Sequence, residues 1–250
     1  MGNARFRLAD ELSPFLPKER RGVLFTAPFA KAATLKNAIE ALGVPHTEVG
    51  AVTVNGEPAT LARIVREADS IDVLSWRHGP RAALDPDAGF VADAHLGGLA
   101  RFLRMLGFDT VQQDGIADSE IRRLAREERR VVLSRDRELM KCREIHAGGY
   151  VRSVHPEEQL REVAERFALA AHARPFTLCL YCNVRLAPVD KAAVRGRLPE
   201  RVTQLHERFV HCRGCDRVYW PGSHYERMRA VLGDLLGGTA GADAGPAPPR

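Results

Sequence analysis

The chain has 250 residues, of which 45% are hydrophobic and 28% charged, the composition of an ordinary folded protein. That length allows one large domain or two or three small ones, and no run of ~20 apolar residues is present to cross a membrane. The formal charge of +5 is lopsided: residues 169–250 hold 12 basic and 7 acidic side chains, a basic excess that either attracts nucleic-acid phosphates or is simply a solvated face.

The N-terminal MGNARFRLADELSPF has no signal-type apolar core, and its loose likeness to a myristoylation signal lacks Ser or Thr at position 6. A cytoplasmic protein with no membrane partner is therefore expected. The stretch FRLADELSPFLP starts like a strand. Thr34 is placed to cap a helix that carries Leu35, Ala38, Ile39 and Leu42 on one face and stops at Gly43. Asn55-Gly56 marks a hairpin turn, and SIDVLSW reads as a closing strand. Strands, one helix, a hairpin and a last strand predict a β-grasp domain over residues 1–78. Its VNGEP and ADSID segments resemble the ubiquitin-like domains related to bacterial sulfur carriers. Carriers use a free Gly-Gly tail, whereas here the strand continues into RHGPRAALDPDAG. A module for a protein partner is the better expectation. Residues 79–88 read as a linker.

From residue 89 to 170 strands and helices alternate. FVAD is a short strand, and HLGGLARFLRMLG is a helix with Leu96, Leu99, Ala100, Leu103 and Leu106 on one face. FDTVQQ is a second strand. Asp118 is expected to cap the helix SEIRRLAREER, with Ile121, Leu124 and Ala125 inward. VVLS, a helix RELMKCREI, the strand GYVRSV and the helix from Pro156 complete the set, with Cys142 expected as a buried thiol on the third helix. Such alternation predicts a parallel sheet flanked by helices, with its site outside the carboxyl ends of the strands.

Asp93 ends the first strand, Asp118 opens the helix into the third, and Asp136, with Glu138 after it, follows the third. Carboxylates gathered at one edge repel one another, and an Mg²⁺ or Mn²⁺ ion with oxygen ligands relieves the repulsion and activates water. Singly, each acid also fits a structural role as a cap or a helix-dipole partner. Arg101, Arg104, Arg135 and Arg137 are candidates to hold phosphate beside the acids, or are simply solvated.

FVADAHLGGLARFLRMLGFDT, DSEIRRLARE and RRVVLSRDREL together resemble the Mut-seven C-terminal ribonuclease family, which has a PIN-like fold. The resemblance covers about residues 89–230. It implies an RNA substrate, with Asp93, Asp118 and Asp136 as the catalytic, metal-holding acids, and Glu138 or Glu120 as further candidates. Ser134 stands where the family usually has Thr, which keeps the hydroxyl.

LCLYCN and HCRGCD each contain a C-x2-C pair, Cys179 with Cys182 and Cys212 with Cys215. Two such pairs complete a tetrahedral Zn²⁺ site, closed and so structural, in a zinc ribbon over 171–235. Arg213 and Arg217 are candidates to contact nucleic acid there. Tyr219 and Trp220 either stack on bases or cover the knuckle as a small core. Residues 236–250, rich in Gly, Ala and Pro, are expected to be disordered. The expected whole is a metal-dependent ribonuclease, with a non-catalytic RNA-binding adaptor as the rival and DNA as an open alternative substrate.

Overall fold

The computed structural model describes residues 1–79, 89–223, 225, 226, 230 and 233. The expected linker beyond residue 79 and the expected C-terminal tail lie outside the described residues.

β1 (Gly2–Leu8) alternates burial along its length, so Ala4, Phe6 and Leu8 share the inner face. β2 (Phe25–Phe29) pairs with it antiparallel. α1 (Leu35–Ala41) buries Leu35, Ala38 and Ile39, and the Thr34 side chain caps it by accepting from the Asn37 N–H at 3.2 Å. β3 (Val49–Val54) and β4 (Glu57–Ala59) form the expected hairpin, whose Asn55 and Gly56 both take positive φ. β5 (Ser70–Ser75) enters parallel to β1 and antiparallel to β3, giving the order β2-β1-β5-β3-β4. Phe6, Leu12, Leu35, Ile39 and Ile71 are fully buried, each worth ~1.5–3 kcal/mol of apolar transfer. This is the ubiquitin-like β-grasp arrangement.

The central segment supplies β6 (Phe90–Ala92), α2 (Gly97–Met105), β7 (Thr110–Val111), α3 (Asp118–Glu127), β8 (Val131–Ser134), α4 (Arg137–Met140), β9 (Gly148–Tyr150) and α5 (Pro156–Phe167). Its pairings are parallel, β6 with β7 and β8 with β9. β6 and β8 are buried at every position, as strands covered on both faces must be. Three details differ from expectation. The second strand is two residues long. The helix after Asp136 ends at Met140, so Cys142 lies beyond it, half-buried. And α3 is preceded by Ala117 as its cap residue, with Asp118 already helical.

The chain divides into two compact units that do not coincide with these segments. One joins residues 1–79 to 115–152. Within it, His46 places its ring between the Glu40 carboxylate at 2.7 Å and the Ile145 carbonyl at 2.8 Å. Glu48, fully buried, accepts from the Tyr150 N–H and from Arg152, both at 3.0 Å. Phe15 meets Tyr150 edge to face. The β-grasp domain and the 115–152 segment thus share one packed body.

The other unit holds residues 89–114 and those from 153 onward. Here β10 (Leu186–Val189), α6 (Lys191–Val194), α7 (Glu200–Leu205), β11 (Phe209–Cys212) and β12 (Val218–Tyr219) follow α5. β10, β11 and β12 form an antiparallel three-stranded sheet. Gly107 ends α2 at φ +87, where a Cβ would lie 2.2 Å from the Arg174 carbonyl, so only glycine fits.

Candidate functional site

The four cysteines converge. Cys179 and Cys182 bracket a tight turn before β10, while Cys212 ends β11 and Cys215 closes the turn into β12. Their sulfurs all lie within 4.8 Å of one another, with Cys179 to Cys215 at 3.5 Å and Cys182 to Cys212 at 3.3 Å. Bonds of ~2.3 Å from one Zn²⁺ would put tetrahedral sulfurs ~3.8 Å apart, so the group fits that ion. Burial above all pushes the Cys182 thiol up to about 12, with a smaller opposing effect from the Val184 N–H. Burial also opposes ionisation of Cys215, but Arg217 and the neighbouring sulfurs outweigh it and lower that thiol to about 6. The set is therefore a clustered potential zinc site.

Tyr219 belongs to this cluster. Its hydroxyl lies 3.1 Å from Cys179 Sγ, and burial foremost holds its phenol above the ordinary range. Of the two roles open to it, the structure gives the one over the knuckle. His211 pairs with Asp216 at 2.7 Å. Gly214 lets the second knuckle close, since a Cβ there would meet Val184 at 2.9 Å and Cys182 Sγ at 3.3 Å.

Arg104 requires a correction. Expected beside a phosphate, it is buried at 5% exposure and spends its guanidinium on carbonyls. Nε and Nη2 donate to Thr110 O at 3.0 and 2.9 Å, and Nη1 donates to Leu180 O at 3.1 Å and Tyr181 O at 2.9 Å. Burial lowers its pKa, opposed by Cys179, Cys182 and Asp109. Asn183 ties the same elements: its amide donates to Asp109 at 2.5 Å, and its oxygen accepts from the Thr110 N–H at 3.1 Å. The first cysteine knuckle is thus locked to α2 and β7.

The acids lie in both units. Asp136 begins α4 as its cap, and Oδ1 accepts from the N–H groups of Glu138 at 2.7 Å and Leu139 at 3.2 Å. The Asp136 N–H in turn donates to the fully buried Ser134 hydroxyl at 2.9 Å, a contact that the family's usual Thr would also allow. Oδ2 accepts no hydrogen bond among the described residues. Asp118 is exposed and, contrary to expectation, makes no capping bond. Both Asp118 and Asp136 act electrostatically on the Cys142 thiol, which burial raises above its usual value. Glu138 faces solvent and pairs with Lys141 at 2.6 Å, while Glu120 grips Arg123. Asp93 stands in the other unit, where it accepts from the Ala94 N–H at 2.6 Å as the cap of a short 3-10 turn.

The remaining arginines differ in their freedom. Arg101, Arg135 and Arg213 are exposed. Arg137 donates to the Pro14 carbonyl at 2.9 Å and lies over the Phe15 ring. Arg217 sits over the Tyr181 ring, 3.6 Å from its centroid. The sequence reading passed over Tyr181, although an aromatic residue between paired ligands in LCLYCN was the available signal.

A family model for the Mut7-C RNAse domain matches residues 88–232, and one for the Mut7-C ubiquitin domain matches residues 1–79. No curated protein matches the chain. Among solved structures, small archaeal modifier protein 1 of H. volcanii is 17% identical, covering 30% of this chain and 97% of its own, at a TM-score of 0.24. That score carries no argument, and the ubiquitin-like assignment stands on the strand order and the family model. No described helix is long and apolar enough to cross a membrane. With more than half of its residues matched by the first model, the chain belongs to the Mut7-C RNAse domain family and carries a Mut7-C ubiquitin domain ahead of it.

Proposed function

We propose that the protein is a metal-dependent ribonuclease of PIN-like type, acting on RNA in the cytoplasm. The observation that carries this is the state of Asp118 and Asp136. Both are carboxylates at helix starts in the same compact unit, and both bear on Cys142. Asp118 has no capping bond and Asp136 uses only Oδ1 for its cap. Asp93 joins them on the sequence motif and family membership, and Glu138 is the weaker candidate because Lys141 engages it. Oxygen donors suit Mg²⁺ or Mn²⁺, which when bound would acidify a water and stabilise charge on a phosphate. The residues' own work is to hold the acids rigidly: Ser134 fixes the Asp136 backbone and the cap fixes its side chain. Arg101 and Arg135 are the exposed cations available to phosphate.

The division of labour is as follows in this reading. Residues 1–78 bind a protein partner, 89–170 form the nuclease and 171–235 the ribbon with a structural Zn²⁺. One observation favours the rival adaptor: Asp93 and Asp136 both serve as caps, as acids do in inert proteins.

Asp136→Asn separates the two. Asn caps as well as Asp, so the fold is expected to survive while the charge is lost. The ribonuclease reading expects Mn²⁺-dependent cleavage of mixed RNAs by the wild type and its loss in the variant. Retention of RNA without cleavage by either would favour the adaptor.

A further inference from the structure

Tyr181 is an exposed aromatic that neither the cysteine cluster nor the acids use. It lies between Cys179 and Cys182, with its side chain in solvent and 61% of the residue exposed. Its backbone is far from loose, because the buried Arg104 holds its carbonyl at 2.9 Å. Arg217 covers one face of the ring at 3.6 Å, close enough for van der Waals contact. A fixed backbone, a ring in water and a guanidinium stacked on one face make a platform whose ordering cost is met in part on folding.

The surroundings are basic and small. Arg185, three residues after Cys182, and Arg213, next to Cys212 inside the second knuckle, are exposed, and Val184 is 41% exposed. The nearby acid, Asp216, is engaged by Arg197 at 2.9 Å and His211 at 2.7 Å, which leaves the positive side chains uncompensated by it.

We propose that Tyr181 and Arg217 form a stacking platform for an unpaired base of single-stranded RNA, with Arg185 and Arg213 drawing in its phosphates. The base stacks on the ring face opposite the guanidinium. Aromatic stacking suits any base, because every base has a π-face, and it needs a strand whose bases are not already paired. The inference rests on the ribonuclease reading only for its choice of RNA. It replaces Tyr219, which faces Cys179, as the stacking residue of the ribbon.

The test uses the full chain, zinc-loaded and without added Mg²⁺ or Mn²⁺. A short fluorescein-labelled oligouridine is the probe, read by anisotropy beside a zinc determination. Tyr181→Ala and Tyr181→Leu are expected to weaken binding by roughly tenfold or more with zinc content unchanged, whereas Tyr181→Phe keeps it. Arg217→Ala is expected to weaken binding, and Arg213→Ala to flatten its salt dependence by about one unit of slope. Tyr181→Leu that binds as the wild type does overturns the proposal. So does a loss of polyphosphate binding in Tyr181→Leu as large as its loss of oligouridine binding, because polyphosphate has charge but no base. Cleavage with Mn²⁺ is scored separately: its absence in the wild type, or its persistence in Asp136→Asn, defeats the ribonuclease reading without touching the stacking result.

Discussion

Asp136 caps α4 with one carboxylate oxygen, and in the proposed function the other takes part in the chemistry. Its Oδ1 closes the start of α4, its N–H rests on Ser134, and Oδ2 remains for another partner. The acid–arginine alternation in VVLSRDREL is resolved by the same contacts: Arg137 turns to Pro14 and Phe15, Glu138 to Lys141, and Asp136 stays at the strand end. Arg104 makes the opposite case, a charge wholly devoted to the fold. Arg104→Leu strips donors from the carbonyls of Thr110, Leu180 and Tyr181, and a loss of ~3 kcal/mol or more in urea unfolding is expected. A loss under ~1 kcal/mol would contradict that role. Asp69 supplies the pH dependence. Arg63 foremost, against burial and with the Arg66 N–H and Asn55, holds its carboxyl below the usual 3.8. A depressed folded pKa stabilises fully above the unfolded value and is lost as pH falls through the folded one. Thermal melting should therefore weaken below about pH 4, with a flatter profile in Asp69→Asn.

At the scale of elements, local chemistry was legible where it acts over a few residues. Thr34 caps α1, Asn55-Gly56 turns β3 into β4, Pro156 opens α5, and the paired cysteines meet. The misreadings have physical causes of longer range. RELMKCREI scans as one helix that would carry Cys142, yet α4 stops at Met140 and the chain turns toward β9. Residue type favours Asp118 as a cap, while Ala117 holds that position and leaves the carboxylate unbonded. Arg104 looked solvated because the carbonyls that bury it lie some 76 residues away in sequence. That long-range lock makes the cysteine knuckle part of the support of α2 and β7. Removing zinc with a chelator should thus raise amide exchange in the ribbon sheet and also in α2 and β7, while β1–β5 stay protected. Exchange confined to the ribbon sheet would show that the lock holds without metal.

For the whole molecule, the compact units cut across the segments that sequence suggests. The β-grasp domain shares its body with residues 115–152 through His46, Glu48 and Phe15, so it is built into the protein's framework. The acids Asp118 and Asp136 are consequently held in a body that the ubiquitin-like domain helps to form. In the proposed function these carboxylates hold a divalent ion for RNA hydrolysis. The most direct test is the rate of single-stranded RNA cleavage titrated with Mn²⁺, for the wild type beside Asp136→Asn. Turnover is expected to rise with Mn²⁺ and to fall by about a hundredfold or more in the variant at unchanged melting temperature. Equal cleavage by both proteins would contradict it.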